Sequence, residues 1–244
     1  MSSSRLASRV LVGLAVYGVI VYAALAAIVG FKERDPDKRA VFCMASGLIL
    51  IWIVLGGTLM RLGRDRFKDW VGRIRIGWRT RFVLLCVVMA LLEEVVTTSM
   101  TNLAPFFGGV TEAARITASK NYLEVVLLHS VVVFWPSYVA WAVLLSYIDF
   151  SPAEVMLLYG LTGTLAEAGT FGAQHLAGVG MWSYVYGLMV YLPACTVPRP
   201  RNVRPVRWWH WPMAVVVGLF ACIPFVPVVL LVRRLLGYAW PGAG

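Results

Sequence analysis

Seven apolar runs, each about as long as a bilayer is thick, constrain this chain more than any other feature. A membrane-spanning helix needs about 20 consecutive apolar residues. Runs of that kind cover residues 10–31, 40–60, 82–100, 123–147, 152–171, 179–197 and 212–232. Hydrophobic residues make up 60% of the 244 and charged ones only 14%, a balance that no water-soluble domain of this length would show. The expectation is an all-α polytopic transmembrane helix bundle of about seven spans, forming a single integral membrane domain over residues 1–244. The first run is too long for the apolar core of a signal peptide and lacks a small-x-small cleavage site, so it is expected to be a retained span. No internal repeat is visible.

Charge orients the spans. Arg5 and Arg9 precede the first run, Arg61, Arg64, Arg66, Lys68, Arg73, Arg75, Arg79 and Arg81 crowd the second loop, and Arg199, Arg201, Arg204 and Arg207 fill the last. Basic loops stay cytoplasmic, so the N-terminus is expected inside the plasma membrane, with the mixed segment K-E-R-D-P-D-K-R (residues 32–39) outside. Arg233 and Arg234 fall outside in this topology, unless Pro224 and Pro227 turn the last span back. The net charge of +10 is then explained by topology and anionic lipid, and nucleic acid is not an expected partner. Cys43, Cys86, Cys195 and Cys222 stand singly in apolar runs without C-x-x-C spacing and read as small buried hydrophobes.

The loops carry patterns of their own. Phe67, Trp70, Val71, Ile74 and Trp78 recur at helical spacing among arginines, predicting an interfacial amphipathic helix between spans 2 and 3. Such a helix either docks a partner or anionic lipid, or simply anchors the topology through its tryptophans. Trp208, Trp209 and Trp211 resemble a second aromatic belt, with His210 interfacial. A short helix is expected after Thr111 in the outer loop of residues 105–121. The fifth run opens with Ser151, Pro152 and Glu154, the spacing of a capping box with proline in the first turn. Its Gly160, Gly163, Ala166, Ala168 and Gly169 permit close helix approach, which puts this helix in the centre of the bundle.

Against this background the segment A-L-L-E-E-V-V-T-T-S-M-T-N (residues 90–102) stands out. A carboxyl at the centre of a membrane helix costs about 2.5–3.5 kcal/mol on insertion scales and marks a functional site by default. At about 1.5 Å per residue, Glu93 and Glu94 lie roughly 18–20 Å from the cytoplasmic edge, Glu167 lies roughly 22 Å from it, and His129 lies roughly 10 Å below the outer surface. These groups therefore share one level in the outer half of the bilayer, with His175 at its rim. Glu94, Thr97, Thr98 and Thr101 share one helix stripe, offset from Glu93 by about 100°, so that one glutamate can face a site while the other faces a neighbouring helix. Two adjacent carboxyls in low dielectric do not both ionise cheaply, so one of them is expected to keep its proton.

Paired glutamates on one membrane helix, followed by histidines on later ones, resemble the CPBP family of intramembrane glutamic proteases, which includes the CAAX prenyl proteases. The resemblance rests on Glu93 and Glu94 and on His129 or the Phe171-x-x-x-His175 spacing. It implies a glutamate that activates water, histidines that hold the water or the oxyanion, and a peptide cut within the membrane. The chain departs from the family's E-E-x-x-x-R, with Thr98 at the arginine position, and from its H-x-x-x-N/D, with Val179 following His175. Two other readings of the same residues are open. One is a non-enzymatic membrane subunit that binds a metal, a cofactor or partner proteins, although no E-x-x-H or paired-histidine pattern specifies a metal. The other is a transporter or proton relay. The partners implied are the lipid bilayer and either other membrane subunits or a membrane peptide substrate.

Overall fold

A computed structural model of the chain describes residues 3–235. Its elements are helical, and one isolated parallel bridge joins Ile148 to Arg204. Helix α1 (Ser3–Phe31) is apolar from Val10 onward and lies at the edge, burying only Ala7 and Leu11. Asp35 caps the next helix by accepting from the Asp37 amide at 2.9 Å, with Pro36 in the first turn. That helix runs unbroken through Gly72, as α2 (Pro36–Leu48), a π-helical segment (Ile49–Gly56) and α3 (Gly57–Gly72).

The separate interfacial helix expected at residues 67–78 is not an element of the fold. Phe67, Trp70 and Val71 belong to the last turns of α3, Ile74 lies in the turn that follows, and Trp78 begins α4 (Trp78–Asn102). The segment is rich in arginine, a good helix former, and holds no proline, so nothing stops the second span's helix before Gly72. The outer segment likewise lacks the short helix expected after Thr111. It is a run of turns, pinned by Asp37 Oδ1, which accepts from the amides of Val110 at 2.7 Å and Thr111 at 3.1 Å.

The fourth apolar run is two helices, α5 (Tyr122–Leu128) and α6 (Val131–Tyr147), bent by 47° at residues 129–130. There the amides of His129 and Ser130 both donate to the Val125 carbonyl, and Ser130 leaves helical geometry at φ −122°, ψ −89°. The last run comprises α9 (His210–Phe220), a 3-10 turn (Ile223–Phe225) and α10 (Val226–Leu235); Pro224 and Pro227 do not turn it back, and residues His210–Val232 form one 23-residue apolar stretch. His210 is buried rather than interfacial, its Nδ1 accepting from the Arg207 amide at 2.9 Å. Among the described residues four helices are long and apolar enough to cross a membrane, or five if the bent pair is one span.

Helices α7 (Pro152–Phe171) and α8 (Val179–Cys195) form the most extensive interface of the bundle. Ser151 and Glu154 make the expected capping box at the start of α7. A Cβ on Gly160 would lie 2.9 Å from the Ser183 Cα, and one on Gly163 would overlap the Tyr186 ring. The two backbones can approach only because these positions have no side chain. A 3-10 turn (Ala173–Gly178) links the helices, and Gly180 packs on the backbone of Gly18 in the middle of α1. Tyr17 donates to the Ala177 carbonyl at 3.0 Å and Tyr184 to the Leu11 carbonyl at 2.9 Å. The α7–α8 tip is therefore level with the middle of α1, which continues for roughly 20 Å beyond it.

At the opposite end the basic segments meet. Asp149 Oδ1 pairs with Arg199 at 3.1 Å and Arg201 at 3.0 Å, and the Arg201 guanidinium lies 5.7 Å from the Trp78 ring centroid. Arg79 donates to Ser146 at 2.7 Å. The chain between α8 and α9 thus clamps the α3–α4 turn and the α6–α7 turn together.

Candidate functional site

Polar side chains gather where α4, α6, α7 and α8 pack. Glu93 and Glu94 are 4% and 8% exposed, and Thr97, Thr98 and Thr101 on the same helix are buried with them. Thr97 Oγ1 donates to the Glu93 carbonyl at 2.8 Å and approaches its carboxylate at 3.4 Å. Ser130, at the bend between α5 and α6, lies close enough to the Glu94 carboxyl to interact with it. On the facing helices, Tyr186 donates a short hydrogen bond to Glu167 Oε1, and His175 Nδ1 lies 4.0 Å from Glu167 Oε2. Glu93 and Glu94 are both close enough to Glu167 to interact with its charge.

Glu93, Glu94 and Glu167, assigned one level from the sequence, lie within range of one another's charge, while the hydrogen bonds of Glu93 run to Thr97 and that of Glu167 to Tyr186. His129 stands differently. It lies at the bend itself and pairs with Glu124 of its own helix at 3.8 Å, and its neighbour Ser130 lies near Glu94. His175 lies in the partly exposed 3-10 turn just past the end of α7, within 5.6 Å of the Phe171 ring and 6.2 Å of the Trp182 ring. Trp182 in turn lies 6.2 Å from Tyr186, and Phe134 5.7 Å from it. An aromatic row thus walls the Glu167 side of the centre.

His175 beside Glu167 gives this centre an ion-pair partner, charged only when protonated. None of the ion pairs among the described residues brings a lysine or arginine to Glu93, Glu94 or Glu167. Nor do three or more His, Cys, Asp or Glu side chains come together, among the described residues, in a group suited to a metal ion. What the arrangement offers is proton exchange. Glu167 with Tyr186 and His175, and Glu93 with Thr97, are pairs of groups able to accept or release a proton.

Two members escaped sequence reasoning. Tyr186 sits in an apolar run where a tyrosine is unremarkable; the available signal was Gly163 on the preceding helix, which leaves room for a ring. Ser130 was hidden beside His129, since a bend without proline or glycine leaves no mark in the sequence. The chain matches no known family model, no curated protein and no solved structure.

Proposed function

We propose that this is an integral membrane protein whose Glu93–Glu94–Glu167 centre carries protons within the bilayer, as a proton relay or the proton-coupling site of a transporter. The observation that carries this reading is three carboxyls within range of one another's charge, with Tyr186 and Thr97 as hydrogen-bond partners, Ser130 near Glu94 and no lysine or arginine in ion-pair range. Carboxyls inside a membrane are expensive and are typical of proton pathways. In this reading α1, the Pro36–Gly72 helix, α4, the bent α5–α6 pair and the α9–α10 stretch cross the membrane, with the N-terminus and the clamped basic loops on the cytoplasmic face of the cell membrane. The α7–α8 hairpin, whose tip is level with the middle of α1, enters from the face of those loops and returns to it. The gathering of Arg79, Arg199 and Arg201 at one end supports that orientation through the positive-inside rule.

The test is dissipation of an imposed pH gradient in proteoliposomes. Wild-type protein is expected to dissipate it at least ten-fold faster than protein-free vesicles, and Glu94→Gln and Glu167→Gln to return the rate to background. A wild-type rate equal to that of empty vesicles overturns the reading.

A second reading is supported by the 4.0 Å approach of His175 to Glu167: a glutamate–histidine pair suited to activating water, as in an intramembrane peptidase of the CPBP type. It predicts cleavage of a membrane-peptide substrate that is lost in Glu94→Gln, Glu167→Gln and His175→Ala. Because His129 is engaged with Glu124, His129→Ala tests whether that histidine belongs to the chemistry. Activity retained in all four variants contradicts the peptidase reading.

A further inference from the structure

A cleft of about 220 Å³ opens at the end of the bundle opposite the arginine clamp, lined by Val95, Thr98, Ser99, Asn102, Lys120 and Tyr122. Its walls are fixed. The Asn102 side-chain amide donates to the Thr98 carbonyl and to the Lys120 carbonyl, both at 3.0 Å, holding α4 against the segment that leads into α5. The Tyr122 hydroxyl donates to the Leu91 carbonyl at 3.2 Å and lies close enough to Glu94 to feel its charge. One lining group is not satisfied: Thr98 is 4% exposed, and its hydroxyl has no hydrogen-bond partner. Buried hydroxyls are almost always bonded, to ordered water where protein offers nothing. Thr98 also stands one helical turn from Glu94, about 6 Å along the axis.

We propose that this cleft is the port through which water, and the protons it carries, reach Glu94 from the face bearing residues 105–121, with Thr98 Oγ1 as the relay group between cleft and carboxyl. The inference rests on the reading of Glu93, Glu94 and Glu167 as a proton-handling centre, but the placement of the port is independent of any transport assay. The cleft has room for several waters. Polar groups line it from Lys120 and Asn102 at the mouth through Ser99 to Thr98. Continuing past Thr98, the next polar groups on α4 are Thr97 and Glu94 themselves.

The experiment is thiol accessibility in sealed proteoliposomes, read residue by residue by peptide mass spectrometry so that Cys43, Cys86, Cys195 and Cys222 do not interfere. Asn102→Cys at the mouth and Thr98→Cys within are each exposed to a membrane-impermeant methanethiosulfonate added on one face at a time. Both are expected to react from the face of residues 105–121, Thr98→Cys within ten-fold of the rate of Asn102→Cys, and neither from the arginine-rich face. Reaction at Asn102→Cys with Thr98→Cys more than 100-fold slower would make the cleft a dead end and overturn the port. So would labelling of Thr98→Cys from the arginine-rich face, or no labelling of either variant. Thr98→Val, which removes the hydroxyl and keeps the shape, is expected to lower proton flux at least ten-fold. Labelled Thr98→Cys in a protein without flux would uphold the port and overturn the relay.

Discussion

Glu154 and Glu94 are both buried carboxyls in the same bundle, and they live in opposite circumstances. Glu154 is 1% exposed, yet its Oε2 accepts from the Ser151 amide and hydroxyl, each at 2.8 Å, and its Oε1 accepts from Trp211 Nε1 at 3.3 Å. It sits in the first turn of α7, where free backbone amides and the positive end of the helix dipole favour a carboxylate. Glu94 is 8% exposed and sits mid-helix, where every backbone amide is already used by the helix and Ser130 lies near it from a neighbouring element. Equal burial therefore conceals unequal satisfaction. Glu154 is what a carboxyl looks like when it supports the fold, and Glu93, Glu94 and Glu167 are what carboxyls look like when the fold supports them.

Four substitutions sharpen that contrast, in order of expected effect on stability. Glu154→Ala removes the cap and orphans the Trp211 indole N–H, and is expected to cost about 2–3 kcal/mol, measured by denaturant unfolding in detergent micelles. If it costs less than Tyr186→Phe, Glu154 is not a structural carboxyl. Gly163→Leu puts side-chain atoms where the Tyr186 ring lies and is expected to cost about 1–3 kcal/mol by overpacking. It should also uncouple Tyr186 from Glu167, so a loss of stability without any change in flux would separate the two roles. Tyr186→Phe leaves the packing and removes the hydroxyl that Glu167 accepts from, at about 1 kcal/mol. It is expected to change flux more than its small stability cost would suggest. Asp149→Asn breaks two ion pairs at the arginine clamp, but the Asp149 side chain is 42% exposed, so solvent screening holds the loss below about 1 kcal/mol. Its unfolding midpoint should move less in high salt than that of the wild type.

The same contrast governs what the sequence discloses. Element existence was legible wherever hydrophobic length or a cap announced it. The seven apolar runs each correspond to helix, and Ser151-Pro152-x-Glu154 caps α7 as its spacing predicts. Rise per residue suggested that Glu93, Glu94 and Glu167 share a level, but it assumed that α7 runs the full thickness, whereas the tip of α7 and α8 packs against the middle of α1. What stayed hidden depends on backbone events that leave no residue signature. The bend at residues 129–130 arises when two successive amides take the one Val125 carbonyl, and it brings Ser130 near Glu94. The fusion of the expected interfacial helix into α3 has the same origin, since amphipathic spacing specifies a face and not a break. The depth of the α7–α8 tip depends on the Gly18–Gly180 contact, a tertiary pairing that no local pattern contains.

The measurement that bears most directly on the account is the unfolding free energy of Glu94→Leu, taken beside that of Glu154→Ala under the same conditions. Replacing a poorly partnered buried carboxyl with an apolar side chain of similar size should be neutral or stabilising, with proton flux lost. Destabilisation of Glu94→Leu as large as that of Glu154→Ala would mean that the central carboxyls hold the bundle together, and would contradict a centre kept for proton chemistry.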